Sequence, residues 1–357
     1  MKRLGIHDIA RLAGVSIGTV DRALHDRGRI SEDTRRRILR IVQNIGYRPH
    51  PAARALRHPA VRIGVCIPRE IRFFYDQIRQ GLESEARRYE HIGMELVHRP
   101  ADRLGAGETQ RIGELLKENI QSLIVTPGDP GLLSPLLNEA EARGIRVICV
   151  ASDAPGSHRS TVVCVQPELN GRMAGELMAR FVLPGSRVAV VTGMRATEDH
   201  RKKIEGFVEA FRSFSPGGSI AQVLEGHEDE DETFLKCERL IRKCKDLAGI
   251  YVTTANCLPV CRALSTRNNH RRIQLITTDL FREMVPYFEK GIIVASMYQQ
   301  PYRQGQSAVR LIADHVVSNR PFPASYYLNP GLVIRSNLSQ FRELRETKIA
   351  LADARMR

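Results

Sequence analysis

The pattern of apolar and polar positions divides the chain at about residue 61. Before this point, apolar residues recur at helical spacing in three short stretches. After it, short apolar runs alternate with amphipathic stretches, which is typical of strands and crossover helices in a parallel sheet. The predicted strands are residues 63–67, 95–98, 123–126, 147–150, 188–192, 250–253, 275–278 and 294–298.

The predicted strands are numerous enough for two open sheets, since four of them precede Cys164 and four follow it. We therefore predict an α/β fold with two Rossmann-like parallel-sheet lobes behind an all-α N-terminal region. Open parallel sheets bind ligands at the carboxyl ends of their strands. This arrangement predicts a ligand cleft between the two lobes.

Residues 6–24 predict two short helices joined by a tight turn. Gly14 can take the left-handed conformation that ends the first helix, and the Ser16 hydroxyl is a natural N-cap for the second. This is a helix-turn-helix pattern. A third amphipathic helix is predicted between Ser31, whose side chain can cap it, and Gly46.

Charge is concentrated at the N-terminal end. Residues 1–60 hold 13 Lys/Arg against 5 Asp/Glu, a net charge of +8, whereas the remaining 297 residues hold 41 against 35, a net charge of +6. A small basic unit ahead of a nearly balanced one favours a polyanion-binding head on a body with another role. A solvated basic surface is the alternative.

The composition narrows the class of protein. With 357 residues, 42% hydrophobic and 26% charged, the chain matches a globular protein, and no stretch approaches the ~18 apolar residues of a membrane span. The first residues lack the apolar core of a secretory signal. Seven cysteines, an odd number, favour reduced thiols. We expect a cytoplasmic protein without a membrane partner.

Motifs for catalysis or cofactor binding are scarce. No G-x-x-x-x-G-K-[ST] loop is present, and no G-x-G-x-x-G follows a predicted strand. Cys257 and Cys261 have the spacing of half a zinc site, but Cys237 and Cys244 are too far apart to complete it. The acidic run at residues 228–232 lacks the pattern of a calcium loop and predicts a solvated helix start. We expect no cofactor, no metal and no enzyme activity.

Several N-terminal motifs together resemble the DNA-binding head of the lactose-repressor family of bacterial transcription regulators. They are Asp8-Ile9-Ala10-Arg11-Leu12-Ala13-Gly14-Val15-Ser16, Thr19-Val20, Arg22-Ala23-Leu24 and Ile45-Gly46-Tyr47-Arg48-Pro49. The resemblance implies a helix-turn-helix domain at residues 1–49, a hinge helix and linker at 50–61, a two-lobed ligand-binding and dimerisation domain at 62–336 and a tail at 337–357.

The same resemblance implies which residues contact DNA. The second helix would lie in the major groove, with Arg22 as the best base reader, although Gly18 offers no side chain and Asp21 brings a carboxylate to a polyanion. A hinge-helix leucine would enter the minor groove; a flexible linker is the alternative there. The implied DNA contacts are Ser16, Ile17, Gly18, Thr19, Asp21, Arg22, His25, Ala53 and Leu56.

The body is similar to periplasmic sugar-binding domains over about residues 62–335. The similarity rests on seven segments: Phe73-Phe74-Tyr75, Gly81-Leu82-Glu83, Ser152-Asp153-Ala154-Pro155, Ile204-Glu205-Gly206-Phe207, Thr277-Thr278-Asp279, Gln299-Gln300-Pro301 and Gln304-Gly305. It implies a sugar site in which rings stack on C–H faces and polar groups bind hydroxyls. The implied ligand contacts are Phe73, Phe74, Asp153, Lys203, Thr253, Asn256, Asp279 and Gln299.

Two positions depart from that pattern, because Ala151 replaces a common acid and Lys203 a common arginine. Core packing, capping or a lobe crossover are alternative roles for the implied contacts, and Lys203, Thr253 and Asn256 could equally be ordinary surface or loop residues. We expect a transcription regulator, a repressor that acts as a homodimer on double-stranded operator DNA under control of a small effector, a sugar. A polyol, a nucleobase or a partner protein is the alternative effector; a cleft enzyme or a sugar transport protein is the more remote alternative.

Overall fold

The chain folds into two compact units, and the computed structural model describes residues 6–24, 30–45, 60–266 and 272–341. The smaller unit contains the N-terminal helices, and the larger unit contains two α/β lobes. In the described ranges, no helix is both long enough and apolar enough to cross a membrane.

The smaller unit has the predicted helix-turn-helix followed by a third helix. Helix α1 is Ile6–Ala13, α2 is Ile17–Leu24 and α3 is Glu32–Asn44. Gly14 takes φ 61° in the turn, as predicted, and the Ser31 hydroxyl accepts a hydrogen bond from the Thr34 amide at the start of α3. The three helices enclose a core of Ile9, Ala10, Ala13, Val20, Ala23 and Ile38.

The first lobe is a six-stranded sheet covered by helices. Its strands, in spatial order, are β2 (Met94–His98), β1 (Val61–Cys66), β3 (Ser122–Val125), β4 (Arg146–Val150), β5 (Thr161–Val165) and β11 (Tyr326–Leu328). Its helices are α4 (Arg72–Arg88), α5 (Glu108–Leu115), α6 (Pro130–Ala142) and α12 (Pro301–Ser318), and a 3₁₀ turn spans Glu90–Ile92. Strands β1, β3, β4, β5 and β11 pair in parallel.

The second lobe repeats the plan with one antiparallel edge. Its strands, in spatial order, are β7 (Ser219–Glu225), β6 (Arg187–Thr192), β8 (Leu247–Val252), β9 (Gln274–Thr278), β10 (Ile293–Tyr298) and β12 (Gly331–Val333). Its helices are α7 (Pro167–Phe181), α8 (Glu198–Phe214), α9 (Glu230–Lys243), α10 (Leu258–Ser265) and α11 (Val285–Glu289), with 3₁₀ turns at Arg282–Met284 and Arg335–Gln340. Strand β12 runs antiparallel to β10.

All eight predicted strands are present, and the prediction of two parallel-sheet lobes is confirmed. Strands β5, β7, β11 and β12 were missed. The chosen dividing residue, Cys164, lies inside β5 of the first lobe, so the first lobe extends slightly further than predicted.

The chain passes between the lobes three times. These crossovers lie between β5 and α7, between β10 and α12, and between β11 and β12. Gln300 begins α12 with φ 55°, and its side-chain amide donates to the Asn329 carbonyl at 2.5 Å. This hydrogen bond ties the second crossover to the third.

Helices α7 and α8 pack closely enough to fix the position of Lys203. A Cβ on Gly171 would lie 2.1 Å from the Lys203 carbonyl oxygen, and one on Gly206 would lie 2.2 Å from the Glu168 carbonyl oxygen. Only glycine permits so close an approach. The start of α8 is therefore held firmly against α7 within the second lobe.

Candidate functional site

A cavity lies between the two lobes, next to the carboxyl ends of several strands. From the first lobe it is lined by Ile71, Phe74, Tyr75, Leu104, Thr126, Ala151 and Ser152. From the second lobe it is lined by Thr197, Asp199, His200, Lys203, Glu228, Thr254, Ala255, Asp279 and Gln299. Its volume is about 30 Å³, which holds only about two water molecules, so a sugar-sized ligand requires the lobes to separate.

Backbone strain is concentrated around this cavity. Ile71, Ala151, Glu228 and Asp279 line it and have φ values of 44°, 66°, 56° and 67°. A left-handed conformation costs a non-glycine residue about 1 kcal/mol or more, and such strain clusters at functional sites. Several residues that line the cavity are therefore held in a conformation that costs free energy.

Lys203 forms the centre of a buried hydrogen-bond network. Its ammonium donates to Asp199 Oδ2 at 2.6 Å, to Gln299 Oε1 at 2.7 Å and to the Thr253 carbonyl at 3.2 Å. An ammonium group has three donors. All three are therefore used within the protein, and Lys203 orients its neighbours.

Asp279 joins the same network through Gln299. The Gln299 backbone N–H donates to Asp279 Oδ1 at 3.0 Å, and the Gln299 side-chain Nε2 donates to Oδ2 at 2.6 Å. Burial raises the pKa of Asp279 to about 7, against the opposing effects of the Lys203 charge and the Gln299 hydrogen bonds. Each oxygen of Asp279 keeps a lone pair for a further donor.

The two implied aromatic contacts lie in different places. Phe74 lines the cavity. Phe73 instead stacks on Phe281, with ring centroids 3.7 Å apart, so α4 of the first lobe contacts the segment after β9 of the second. A second contact between the lobes is the hydrogen bond from Thr197 Oγ1 to the Gly128 carbonyl, at 2.7 Å.

Three further implied contacts lie beside the cavity rather than in its lining. Asp153 is bound by the Arg159 guanidinium, which also donates to the Ala324 carbonyl at 2.8 Å. Thr253 donates through its hydroxyl to Thr192 Oγ1 at 2.7 Å. The backbone N–H of buried Asn256 donates to the Thr254 hydroxyl, and it is Thr254 that lines the cavity.

The sequence interpretation missed Glu228 as a cavity residue. Asp229 caps α9 by accepting from the Glu232 amide, and Asp231 is exposed, as a solvated helix start requires. Glu228 was wrongly grouped with them, because its left-handed backbone turns its side chain inward and leaves the residue only 8% exposed. Its Oε2 accepts from the Thr254 hydroxyl at 2.8 Å.

Burial changes the titration of two groups at this end of the cavity. It raises the pKa of Glu228 to about 8 and lowers the pKa of His200 to about 4. His200 Nε2 lies 3.6 Å from Glu228 Oε1. Near neutral pH, His200 is therefore uncharged and gives Glu228 no cationic partner.

Three buried oxygen atoms at the cavity have no hydrogen-bond partner in the part of the chain that the structure describes. They are Thr126 Oγ1, Ser152 Oγ and Asp199 Oδ1. An unpaired buried polar atom costs about 1 to 3 kcal/mol. These atoms come from both lobes and are suited to a ligand that both donates and accepts hydrogen bonds.

The second helix of the head presents a polar surface. The Ser16 hydroxyl accepts from the Thr19 amide at 3.2 Å, which confirms the predicted cap. Ser16, Gly18 and Arg22 are exposed, whereas Ile17, Thr19 and Asp21 are half-buried. Arg22 Nε donates to the Gly18 carbonyl at 3.1 Å. The other implied DNA contacts, His25, Ala53 and Leu56, lie outside the described residues.

Two family profiles match the chain. Residues 5–50 match the bacterial regulatory proteins of the lacI family, and residues 63–320 match the periplasmic binding protein domain. Catabolite control protein A of Priestia megaterium is 23% identical over 320 residues, which cover 87% of this chain and 92% of that protein. The HTH-type transcriptional regulator DegA of Bacillus subtilis is 26% identical over 207 residues, which cover 57% of this chain and 60% of that protein.

Solved structures share the fold of the body. GanP, a glucose-galactose binding protein from Geobacillus stearothermophilus, superposes with a TM-score of 0.72 at 21% identity, covering 79% of this chain and 99% of that chain. A solute-binding protein from Burkholderia graminis, in complex with D-arabinose, gives a TM-score of 0.71 at 20% identity. The superposition covers 79% of this chain and 97% of that chain. The chain therefore belongs to the periplasmic binding protein domain family through residues 63–320, carries a lacI-family DNA-binding domain at residues 5–50, and is a ligand-responsive DNA-binding transcription regulator.

Proposed function

We propose that an effector bound in the cavity between the lobes controls the affinity of the head for operator DNA. The observation that carries this proposal is the set of three unpartnered buried oxygens, on both lobes, around one cavity. A ligand that pairs with oxygens on both lobes binds one arrangement of the lobes more tightly than another. It therefore shifts a two-state equilibrium, and the head can respond to that equilibrium.

The effector is a polyhydroxylated molecule, a sugar or a close chemical relative. Hydroxyl groups both donate and accept, as the Thr126 and Ser152 hydroxyls and Asp199 Oδ1 require. Phe74 supplies an apolar wall for the C–H face of a ring. The sugars named for the structurally similar solute-binding proteins are consistent with this class of ligand.

The head acts as one half of a homodimeric repressor in the cytoplasm. Exposed Arg22 reads a base edge in the major groove, and Ser16 and Thr19 lie near phosphates. A two-fold dimer on a near-palindromic operator supplies the specificity that a single helix-turn-helix lacks. The cavity binds its ligand without converting it, in line with relatives that are transcription regulators.

Selection of DNA from a random library tests the DNA-binding half of the proposal. The expected product is a two-fold symmetric site bound by two chains, with affinity that falls steeply as salt rises. A panel of sugars and polyols added to the complex then tests the effector half. Binding without sequence preference, or a complex that no member of the panel alters, would contradict the proposal.

A further inference from the structure

The cavity carries more acidic than basic groups on its second-lobe wall. Asp199, Glu228 and Asp279 line it, and the lysine there is Lys203, whose three donors are already used inside the protein. Glu228 has His200 as its one ion-pair neighbour within 4.0 Å across the described ranges, and burial keeps that imidazole neutral. Glu228 is therefore a buried carboxyl group without a charged cation in direct contact, although the Lys203 charge lowers its pKa from further away.

Further carboxylates stand behind the first-lobe wall. Glu108 accepts from the Gly105 amide at 2.7 Å and the Gly128 amide at 3.1 Å. Glu70 accepts from the Leu104 amide at 2.6 Å. The Arg103 guanidinium lies 4.0 Å from Glu70 Oε2, but its side chain is 56% exposed, so solvent screens it. Acidic groups therefore outnumber basic groups around the cavity.

An independent observation also points to a ligand there. Asp199 Oδ1 has no partner although the residue is only 6% exposed, while its other oxygen binds Lys203. A carboxylate oxygen can only accept. The ligand must therefore bring a donor to the acidic wall, and it must bring hydroxyls to Thr126 and Ser152 on the opposite wall, which are 1% and 4% exposed.

We infer that the effector is a polyhydroxylated primary amine, an amino sugar or aminopolyol, whose ammonium lies against Glu228 and Asp199 and whose hydroxyls face Thr126 and Ser152. The inference rests on the proposed function, because it needs the cavity to be the effector site. A neutral sugar satisfies the hydroxyls but does not stabilise the ionised form of Glu228. A polyhydroxylated amine does both, with charge-assisted hydrogen bonds in a water-poor site.

Binding of an ammonium is coupled to ionisation of Glu228. The charged and titratable groups around this carboxyl are Glu70, Tyr75, Asp199, His200 and Lys203. Burial raises the pKa of Glu228 to about 8, so near neutral pH the group is mainly protonated without ligand. A cation favours the carboxylate and lowers this pKa, so binding releases a proton. Affinity then rises with pH up to about 8 while the amine stays charged.

Calorimetric titration of the full chain with matched pairs tests the inference. The pairs are glucose and glucosamine, galactose and galactosamine, mannose and mannosamine, and sorbitol and its 1-amino-1-deoxy analogue. In at least one pair the amine should bind tenfold or more tightly than its neutral partner. Titration in two buffers of different ionisation enthalpy should show proton release on binding.

Glu228→Gln separates charge from shape, because the amide keeps an acceptor for the Thr254 hydroxyl. It should weaken the amine about ten- to hundredfold, as expected for loss of a charged hydrogen-bond partner, and change the neutral partner by less than about twofold. Asp231→Asn, three residues along and exposed, removes the same charge and should change neither. If Glu228→Gln fails to fold, proton release when the amine binds to the wild type still tests the inference.

The outcomes separate the two proposals. If neutral members bind as well as their amines, or amine binding releases no proton, the amine inference is wrong and the sugar site stands. If no member of any pair binds, both the amine inference and the proposed sugar site are wrong. Loss of affinity in Asp231→Asn equal to that in Glu228→Gln would also overturn the role of Glu228.

Discussion

The head and the cavity use polar groups in opposite ways. In the head, the residues expected at DNA include Ser16 and Arg22 on the surface, over a core of small and branched apolar residues. In the cavity, Lys203, Asp279 and Gln299 are 1%, 2% and 5% exposed and are bound to one another. Water and salt screen the first group of charges but barely reach the second.

In the head, the residues expected to bind DNA therefore contribute little to stability. In the cavity, the residues expected at the ligand also stabilise the fold. An exposed side chain can be removed at little cost to folding. A buried charged group cannot, since its partners are then left without a hydrogen bond in a medium of low dielectric constant. The substitutions below test this contrast, beginning with the one that should have the largest effect.

Lys203→Met should destabilise the larger unit by about 3 to 5 kcal/mol, the usual cost of breaking a buried ion pair. It leaves Asp199 Oδ2, Gln299 Oε1 and the Thr253 carbonyl without their donor. Denaturant unfolding measures the loss. Lys202→Met is the control, because the half-buried Lys202 pairs with Glu205 at the surface and its removal should cost less than about 1 kcal/mol. Equal losses would show that the Lys203 network is not a stabilising unit.

Glu228→Gln should make the ligand-free protein more stable at pH 8 than the wild type, by an amount on the order of a few kcal/mol. Burial raises the folded-state pKa of Glu228 to about 8, above its value of about 4.5 in the unfolded chain, so the folded state binds this proton more tightly. The contribution of Glu228 to stability therefore falls as pH rises from about 5 to about 8.

Unfolding of wild type and Glu228→Gln at pH 5, 6.5 and 8 measures this effect. The difference in free energy of unfolding should be near zero at pH 5 and largest at pH 8. His200 contributes in the opposite direction, since burial lowers its pKa to about 4 and its protonation destabilises the fold below about pH 6.5. A difference that is constant with pH would show that Glu228 is not the buried acid described here.

Arg22→Ala should weaken operator binding by about 1 to 3 kcal/mol and relax the preference at one base pair in each half-site. Folding should be unaffected, because Arg22 is exposed and hydrogen-bonds only within α2 in the described structure. Arg36→Ala, on α3, should weaken operator and random DNA alike. Fluorescence anisotropy with both DNAs measures this, and a uniform loss for Arg22→Ala would remove its role as a base reader.

The sequence predicted those parts of the molecule that depend on short stretches. The Ser16 cap and the left-handed Gly14 follow from residues within one or two turns of each other, and both are confirmed. The strands that were found are mainly buried apolar runs, except β2, an edge strand with exposed Glu95. Strand β5 was missed although it too is a buried apolar run. Strand β7 was missed because it is an edge strand of mixed polarity, and β11 and β12 because they have only three residues each.

The arrangement of the cavity depends on long-range contacts and could only partly be predicted. Lys203, Asp279 and Gln299 were identified as a group by resemblance, but the use of all three Lys203 donors depends on contacts with Thr253 and Gln299, 50 and 96 residues away. No local pattern encodes such contacts. Glu228 was missed because one left-handed residue turns it inward from an acidic run that otherwise faces solvent.

Thr126→Val should have a small effect on folding and a selective effect on binding. Its hydroxyl oxygen is buried, unpartnered and directed at the cavity, so an isosteric methyl group removes an unsatisfied polar atom and should leave the ligand-free protein unchanged or up to about 1 kcal/mol more stable. The same change should weaken effector binding about three- to tenfold, because one hydrogen bond to a ligand hydroxyl is lost. Thr161→Val is a matched control: Thr161 is also buried with an unpartnered hydroxyl, but it does not line the cavity. Both variants should therefore melt at or slightly above the wild-type temperature, and only Thr126→Val should bind the effector less tightly in calorimetry. If Thr161→Val weakens binding equally, the unpartnered hydroxyls are a general feature of the first-lobe core and do not mark the ligand site.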